Sequence, residues 1–125
     1  MKILIVEDDV LIGNYIKYVL EKNQYIITGV ADNKTDVCNL ILNKPPDVAL
    51  LDIRLGSKET GIELGEALSE AQIPFMYLTA NNDRDTMNRA LATNPVAYIT
   101  KPFNEPNVVG AIELFRKKNK GNNLV

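Results

Sequence analysis

The sequence predicts an α/β domain: a doubly wound parallel sheet of five strands in the order 2-1-3-4-5, with five helices covering its two faces. Three observations predict it. Short apolar runs alternate along the whole chain with segments whose apolar residues recur at three- and four-residue spacing, which is helical periodicity. The first, third and fourth of those runs are continuously apolar, as strands buried on both faces are. The chain has 125 residues and is 46% hydrophobic, enough for one domain with a real core.

The elements follow in order. Lys2 to Val6 (KILIV) is the first strand. Val10 to Lys22 is a helix with Leu11, Ile12, Tyr15, Ile16, Val19 and Leu20 on its apolar face. Tyr25 to Val30 (YIITGV) is the second strand, weakened by Gly29. Asp32 or Asn33 caps the second helix, which uses Val37, Leu40 and Ile41 and ends before Pro45-Pro46. Val48 to Asp52 is the third strand, followed by a polar loop from Gly56 to Gly61. Ile62 to Ala71 is the third helix, with Ile62, Ala67, Leu68 and Ala71 inward and Gly65 a weak point. Pro74 opens the fourth strand, which ends at Thr79. Asp83 to Ala92 is a short helix anchored chiefly by Met87 and Leu91, so thinly that it is a candidate mobile element. Val96 to Thr100 is the fifth strand. Asn104 caps the last helix, which tolerates Pro106 in its first turn and turns Val108, Ile112 and Phe115 inward. The domain is expected over residues 1–118, with 119–125 a frayed tail or the start of a linker.

Composition excludes several function classes. A formal net charge of -2 carries no electrostatic footprint for nucleic acid. The cations Arg116, Lys117, Lys118 and Lys120 suit a helix C-terminus, where they oppose the macrodipole. Cys38 is the only cysteine and there is no histidine, so an internal disulfide, a thiolate zinc site and a His-based triad are all excluded. Cys38 is expected to pack as a small apolar group. No apolar stretch approaches ~18 residues and the first strand starts at once, which predicts a soluble, cytoplasmic chain that neither crosses nor binds a membrane.

Four strands stop at residues suited to phosphate chemistry. The first runs into Glu7, Asp8 and Asp9, the third into Asp52, the fourth into Thr79 and the fifth into Lys101-Pro102. Parallel strands would line these ends along one edge, with the crevice between the first and third strands. Two acids about 4 Å apart repel by ~4 kcal/mol at an effective dielectric of ~20. An oxygen-only cluster therefore calls for a hard divalent cation, Mg²⁺ before others. The Glu7–Asp9 triplet suits a helix N-terminus equally well. Asp52 closes a buried strand, where an acid is costly unless paired or metal-bound. It reads as a nucleophile able to form an acyl phosphate, or else as a loop or cap residue. Thr79 offers a hydroxyl beside small Ala80, although threonine at a strand end is common. Lys101-Pro102 makes a cis peptide plausible, or an ordinary turn before a helix.

The set ILIVEDD, ALLDIRL, YLTA and YITKPF resembles the receiver domain of two-component response regulators over Lys2 to about Lys118. The resemblance implies a flavodoxin-like fold and a phosphorylation switch. It implies that Asp52 is the phosphoacceptor and that Asp8 binds Mg²⁺ directly, with Glu7 acting through water and the main-chain carbonyl of Arg54 as a further ligand. Asp9 falls just outside the acidic pair. Thr79 and Lys101 would hold the phosphoryl group, and Tyr98 would swing inward on activation. The implied partners are a sensor histidine kinase or phosphotransfer protein, a downstream output domain or protein, and a second copy in a homodimer. The chain would not itself be an enzyme beyond its own phosphorylation and dephosphorylation.

Departures bear on detail. Gly56 stands where proline often follows the phosphoacceptor, and Asn94-Pro95-Val96 replaces a frequent Gly-Ala pair. Arg54 and Asn81 occupy positions that tune acyl-phosphate lifetime in the family. Other function classes compete. An aspartyl phosphohydrolase usually carries a second acid two residues after its nucleophile, where this chain has Arg54. A nucleotide or flavin binder would show a glycine-rich phosphate loop, and none is present. An interaction module with a silent site would not need the full set of Asp8, Asp52, Thr79 and Lys101.

Overall fold

The computed structural model describes residues 1–56, 60–80 and 83–123. Its elements are β1 (Lys2–Val6), α1 (Val10–Lys22), β2 (Ile26–Ala31), α2 (Lys34–Asn43), β3 (Val48–Leu51), α3 (Thr60–Glu70), β4 (Phe75–Thr79), α4 (Arg84–Leu91), β5 (Ala97–Thr100) and α5 (Glu105–Asn123). The strands form one sheet in the order β2-β1-β3-β4-β5, and every neighbouring pair is parallel, as the sequence predicts.

Side chains alternate across a strand, so a continuously apolar strand feeds two cores. Leu4, Val6, Ala49, Leu51, Phe75 and Tyr77 point to one face, against Val37 of α2, Leu64 and Leu68 of α3 and Ala90 of α4. Ile3, Ile5, Leu50, Met76 and Leu78 point to the other, against Ile16 and Leu20 of α1 and Val108, Ile112 and Phe115 of α5. Each fully buried aliphatic or aromatic side chain contributes about 1.5–3 kcal/mol against conformational entropy.

The structure corrects several helix faces. On α1, Ile16, Val19 and Leu20 are buried, whereas Leu11 is 81% exposed and Tyr15 half-exposed. On α3, Leu64 is buried and the two alanines, Ala67 and Ala71, are exposed. Ile62 and Leu68 are buried as expected, and the larger Leu64 takes the core place that the alanines leave. Gly65 is also buried rather than a weak point: a Cβ there would lie 2.1 Å from the Tyr77 hydroxyl, so the helix approaches β4 only without a side chain. α4 seats Thr86 and Ala90 on the core, not Met87 and Leu91. Cys38 is exposed, since Val37 takes the inward face and each helical residue advances by about 100°.

The caps match their residue types. Asp9 accepts from the Leu11 and Ile12 amides at 3.0 and 3.2 Å, and Asn33, not Asp32, caps α2 through the Asp36 amide. Asn104 and Asn107 bond each other's amides reciprocally at 3.0 and 2.9 Å, a capping box ahead of α5. That helix continues through Asn123, past Lys118 where the sequence suggested a tail. Arg116 pairs with Glu113 at 2.8 Å and Lys117 and Lys118 are exposed, so these cations are solvated as read but lie before the helix's last turn rather than at its end; the Lys120 side chain lies outside those described. No helix among the described residues is long and apolar enough to cross a membrane.

Candidate functional site

Register places the acids. β1 and β3 pair Val6 with Leu51, and the Asp52 amide donates to the Val6 carbonyl at 2.9 Å. The next residue of each strand, Glu7 and Asp52, therefore leaves the sheet at the same level. Glu7, Asp8 and Asp52 each offer a carboxylate oxygen, and these lie within 4.8 Å of one another. On the far side, the Lys101 amide donates to the Thr79 carbonyl at 2.7 Å, which ties the end of β5 to the end of β4. The Lys101–Pro102 peptide is cis. The Lys101 ammonium reaches back across the sheet edge to Glu7 Oε1 at 2.6 Å and Asp52 Oδ2 at 3.1 Å.

Burial shapes the charges. Glu7 is 5% exposed and Asp52 9%. Burial is the largest influence on the Glu7 carboxyl and pushes its pKa up. The Lys101 hydrogen bond pulls it down, the hydrogen bond and charge of Asp52 push it up again, and it settles at about 7. For Lys101, burial opposes the charged form, but hydrogen bonds to Glu7 and Asp52 outweigh it and raise the ammonium's pKa. The 2.6 Å contact to Glu7 is the shorter of the two and makes the stronger hydrogen bond, while the charge of Asp52 counts for more than that of Glu7.

The loop backbone completes the edge. The Arg54 amide donates to Asp52 Oδ1 at 3.2 Å, and the Gly56 amide donates to Asp8 Oδ2 at 2.7 Å. Gly56 has φ +71°, a left-handed conformation that suits glycine. Gly61 packs directly on the strand end: a Cβ there would lie 2.1 Å from the Asp52 carbonyl oxygen and 2.6 Å from Ile53 Cα. Both neighbours are backbone and cannot swing aside. Gly61→Ala is therefore expected to displace the β3–α3 loop, cost about 1–3 kcal/mol in chemical denaturation and weaken Mg²⁺ binding. An alanine variant with wild-type stability and metal affinity would show that the loop adapts. Sequence reading missed Gly61 as a site residue; its only signal was a glycine nine residues beyond Asp52 in an otherwise polar loop.

Thr79 closes β4, is 1% exposed and stands opposite Thr100 of β5. Tyr98 lies a step back on β5, half-buried, its ring 6.0 Å from that of Tyr77. Asp9 is a helix cap, so for that residue the N-terminal reading of the triplet holds. Asn81, together with 57–59 of the loop, lies outside the described residues.

A family model for the response regulator receiver domain matches residues 3–113. The chain belongs to the response-regulator receiver family. This receiver is 33% identical to the transcriptional regulatory protein KdpE of Staphylococcus aureus, over 99% of the chain and 54% of that protein. It is 27% identical to the chemotaxis protein CheY of Halobacterium salinarum, over 89% of the chain and 92% of that protein. Among solved structures it resembles the CheY-like receiver domain protein of Methanospirillum hungatei, with a TM-score of 0.87 and 27% identity over 97% of both chains. The receiver spans about half the length of the first curated relatives it matches. Receiver domains of this family are signalling modules of two-component systems rather than enzymes.

The donor set fits a hard divalent cation. Three carboxylates gather within 4.8 Å, two of them on the Lys101 ammonium, every donor is oxygen, and the Gly56 amide holds Asp8 in place beside the buried pair. Glu7 must be ionised to serve such an ion. Mg²⁺ affinity is therefore expected to fall as pH is lowered from about 8 to about 6, with protons taken back by Glu7. Calorimetry in buffers of different ionisation enthalpy measures this; binding that releases no proton near pH 7 would contradict the placement of Glu7.

Proposed function

We propose that this receiver accepts a phosphoryl group on Asp52 from a sensor histidine kinase or phosphotransfer protein, with Mg²⁺ held by Asp8, Glu7, Asp52 and the Arg54 main-chain carbonyl. The observation that carries the reading is the Lys101 ammonium set against Asp52 at 3.1 Å and Glu7 at 2.6 Å, at the carboxyl edge of a parallel sheet. Asp52 Oδ attacks phosphorus, the bond from phosphorus to the donor nitrogen breaks, and the donor imidazole leaves with that electron pair. The product is a mixed anhydride on Asp52. Lys101 offers its ammonium to the arriving phosphoryl oxygens, charge that the transferring group requires. The Arg54 amide orients the carboxylate through Oδ1. Bound Mg²⁺ would offset the negative charge shared by phosphate and carboxylates.

Thr79 then turns its hydroxyl to the phosphoryl group and Tyr98 follows, which alters the face built by α4, β5 and α5. A tenfold gain in partner affinity needs only ~1.4 kcal/mol of differential binding. The output, whether a fused domain, a separate protein or a homodimer formed through that face, reads the changed population. Incubation with acetyl phosphate and Mg²⁺ tests the reading. One phosphoryl group per chain is expected, mapped by peptide analysis to Asp52. No mass gain, or a label on another residue, would overturn it.

A further inference from the structure

The tyrosine in the middle of β4 has no part in the phosphoryl chemistry, yet it is fully buried and carries a polar group. The Tyr77 hydroxyl lies 2.7 Å from Thr93 Oγ1, in a buried pair. Thr93 Oγ1 also bonds the Ala90 carbonyl at 2.6 Å, and a carbonyl can only accept. The single hydroxyl proton of Thr93 is thereby committed to Ala90, so Tyr77 is the donor to Thr93. Ala90 is, with Thr86, one of the two buried residues of α4, and Thr93 directly follows that helix's C-cap, Ala92. The chain of bonds thus runs from the centre of the sheet to the last turn of α4. The same ring stands edge-on to Tyr98 at 6.0 Å and 61°. Room for the hydroxyl comes from α3, where Gly65 leaves empty the place a Cβ would take 2.1 Å from it. Burial raises the pKa of the Tyr77 hydroxyl above its ordinary value, in keeping with a protonated donor.

We propose that Tyr77 is the positioning residue that seats α4: its hydroxyl latches the helix's C-terminal turn through Thr93, and its ring backs Tyr98. The latch thereby sets how readily the α4–β5 face rearranges. The seating stands on the geometry alone; its effect on switching rests on the receiver function proposed above. The two hydroxyls are unequal. Removing the donor leaves Thr93 still bonded to Ala90, so Tyr77→Phe loses one hydrogen bond. Removing the acceptor leaves a buried Tyr77 hydroxyl without a partner, so Thr93→Val adds a desolvation penalty. Removing both relieves that penalty, and the double variant is milder than the sum of the singles.

Hydrogen exchange followed by mass spectrometry on the full chain tests this. Tyr77→Phe is expected to speed exchange over 84–94 about fivefold, the ratio one buried hydrogen bond supports. Thr93→Val speeds it further, the double variant falls below the product of the two, and Thr93→Ser stays near wild type. Exchange in β1 and β3 is unchanged throughout. Unaltered exchange over 84–94, an equal rise in every peptide, or strictly multiplicative singles would overturn the latch. For the coupling, Tyr77→Phe is expected to reach half-saturation at a lower beryllofluoride concentration than wild type, with Mg²⁺ present. An unchanged midpoint would overturn the coupling. Wild-type protein that fails to bind beryllofluoride would sink the receiver function and the coupling together, while the exchange comparison still decides the latch.

Discussion

Asp52→Asn is expected to abolish phosphoryl uptake from acetyl phosphate while leaving the fold intact. An amide oxygen is too weak a nucleophile to displace a phosphoryl leaving group, so the loss is complete rather than partial. The shape of the side chain is preserved. Its one oxygen can still accept from the Arg54 amide, as Oδ1 does at 3.2 Å, while its NH2 takes the place of Oδ2 and no longer accepts from Lys101, which keeps Glu7. The electrostatics change in a second, measurable way. Asp52 raises the Glu7 pKa by hydrogen bond and by charge, so without it the Glu7 carboxyl returns toward its ordinary value from about 7. A group whose folded pKa is raised contributes stability at low pH that is lost as pH rises through that value. Asp52→Asn should therefore flatten the decline in stability between about pH 5 and about pH 8. Mass spectrometry reads the first effect and urea titrations across pH the second. Residual labelling at wild-type rate would move the phosphoacceptor elsewhere.

Lys101→Ala is the complementary experiment, and its effect is largest on stability. It removes the one cation that, among the described residues, sits against two buried carboxylates, Glu7 at 2.6 Å and Asp52 at 3.1 Å. Breaking a buried ion pair from one side costs about 3–5 kcal/mol, because the remaining charge is left uncompensated. Here two remain, and protonation is their escape. Lys101 lowers the Glu7 pKa, so its loss lifts that pKa further and leaves Glu7 protonated at neutral pH. The destabilisation should accordingly be greatest near pH 8 and shrink toward pH 5, where Glu7 carries a proton in either protein. Added Mg²⁺ should restore part of the loss by binding the folded state alone. Denaturant midpoints at the two pH values, with and without Mg²⁺, measure all three effects. An equal loss at both pH values would show that Lys101 supports the fold by packing rather than by charge.

How much of this was legible in the sequence depends on the range of the interaction. β1, β3 and β4 were legible because runs such as Val48–Leu51 are apolar at every position, which only a strand covered on both faces requires. The caps of α2 and α5 were legible, as Asp32 or Asn33 and as Asn104, because a helix start needs a local acceptor, whereas Asp83, read as the first residue of its helix, is that helix's cap. The acids, Thr79 and Lys101 stood out because each followed an apolar run, and parallel pairing brings such ends to one edge. Helix faces were read less well. Leu11 and Tyr15 fit the apolar spacing of α1 yet lie toward solvent, while small Thr86 and Ala90 anchor α4. Spacing reports which residues share a face, not which face the neighbouring elements leave room for.

Strand order, one sheet edge and the identity of the residues on it came from the chain itself, because alternation, apolar continuity and chain position are properties of local sequence. Tertiary structure alone decided that Lys101 pairs most closely with Glu7, that Gly61 lies against the Asp52 backbone, and that Gly65, Tyr77 and Thr93 form one unit. Those contacts join residues far apart in the chain, and each depends on the separation of packed elements to within an ångström or so. No pattern of residue types along a sequence carries that distance.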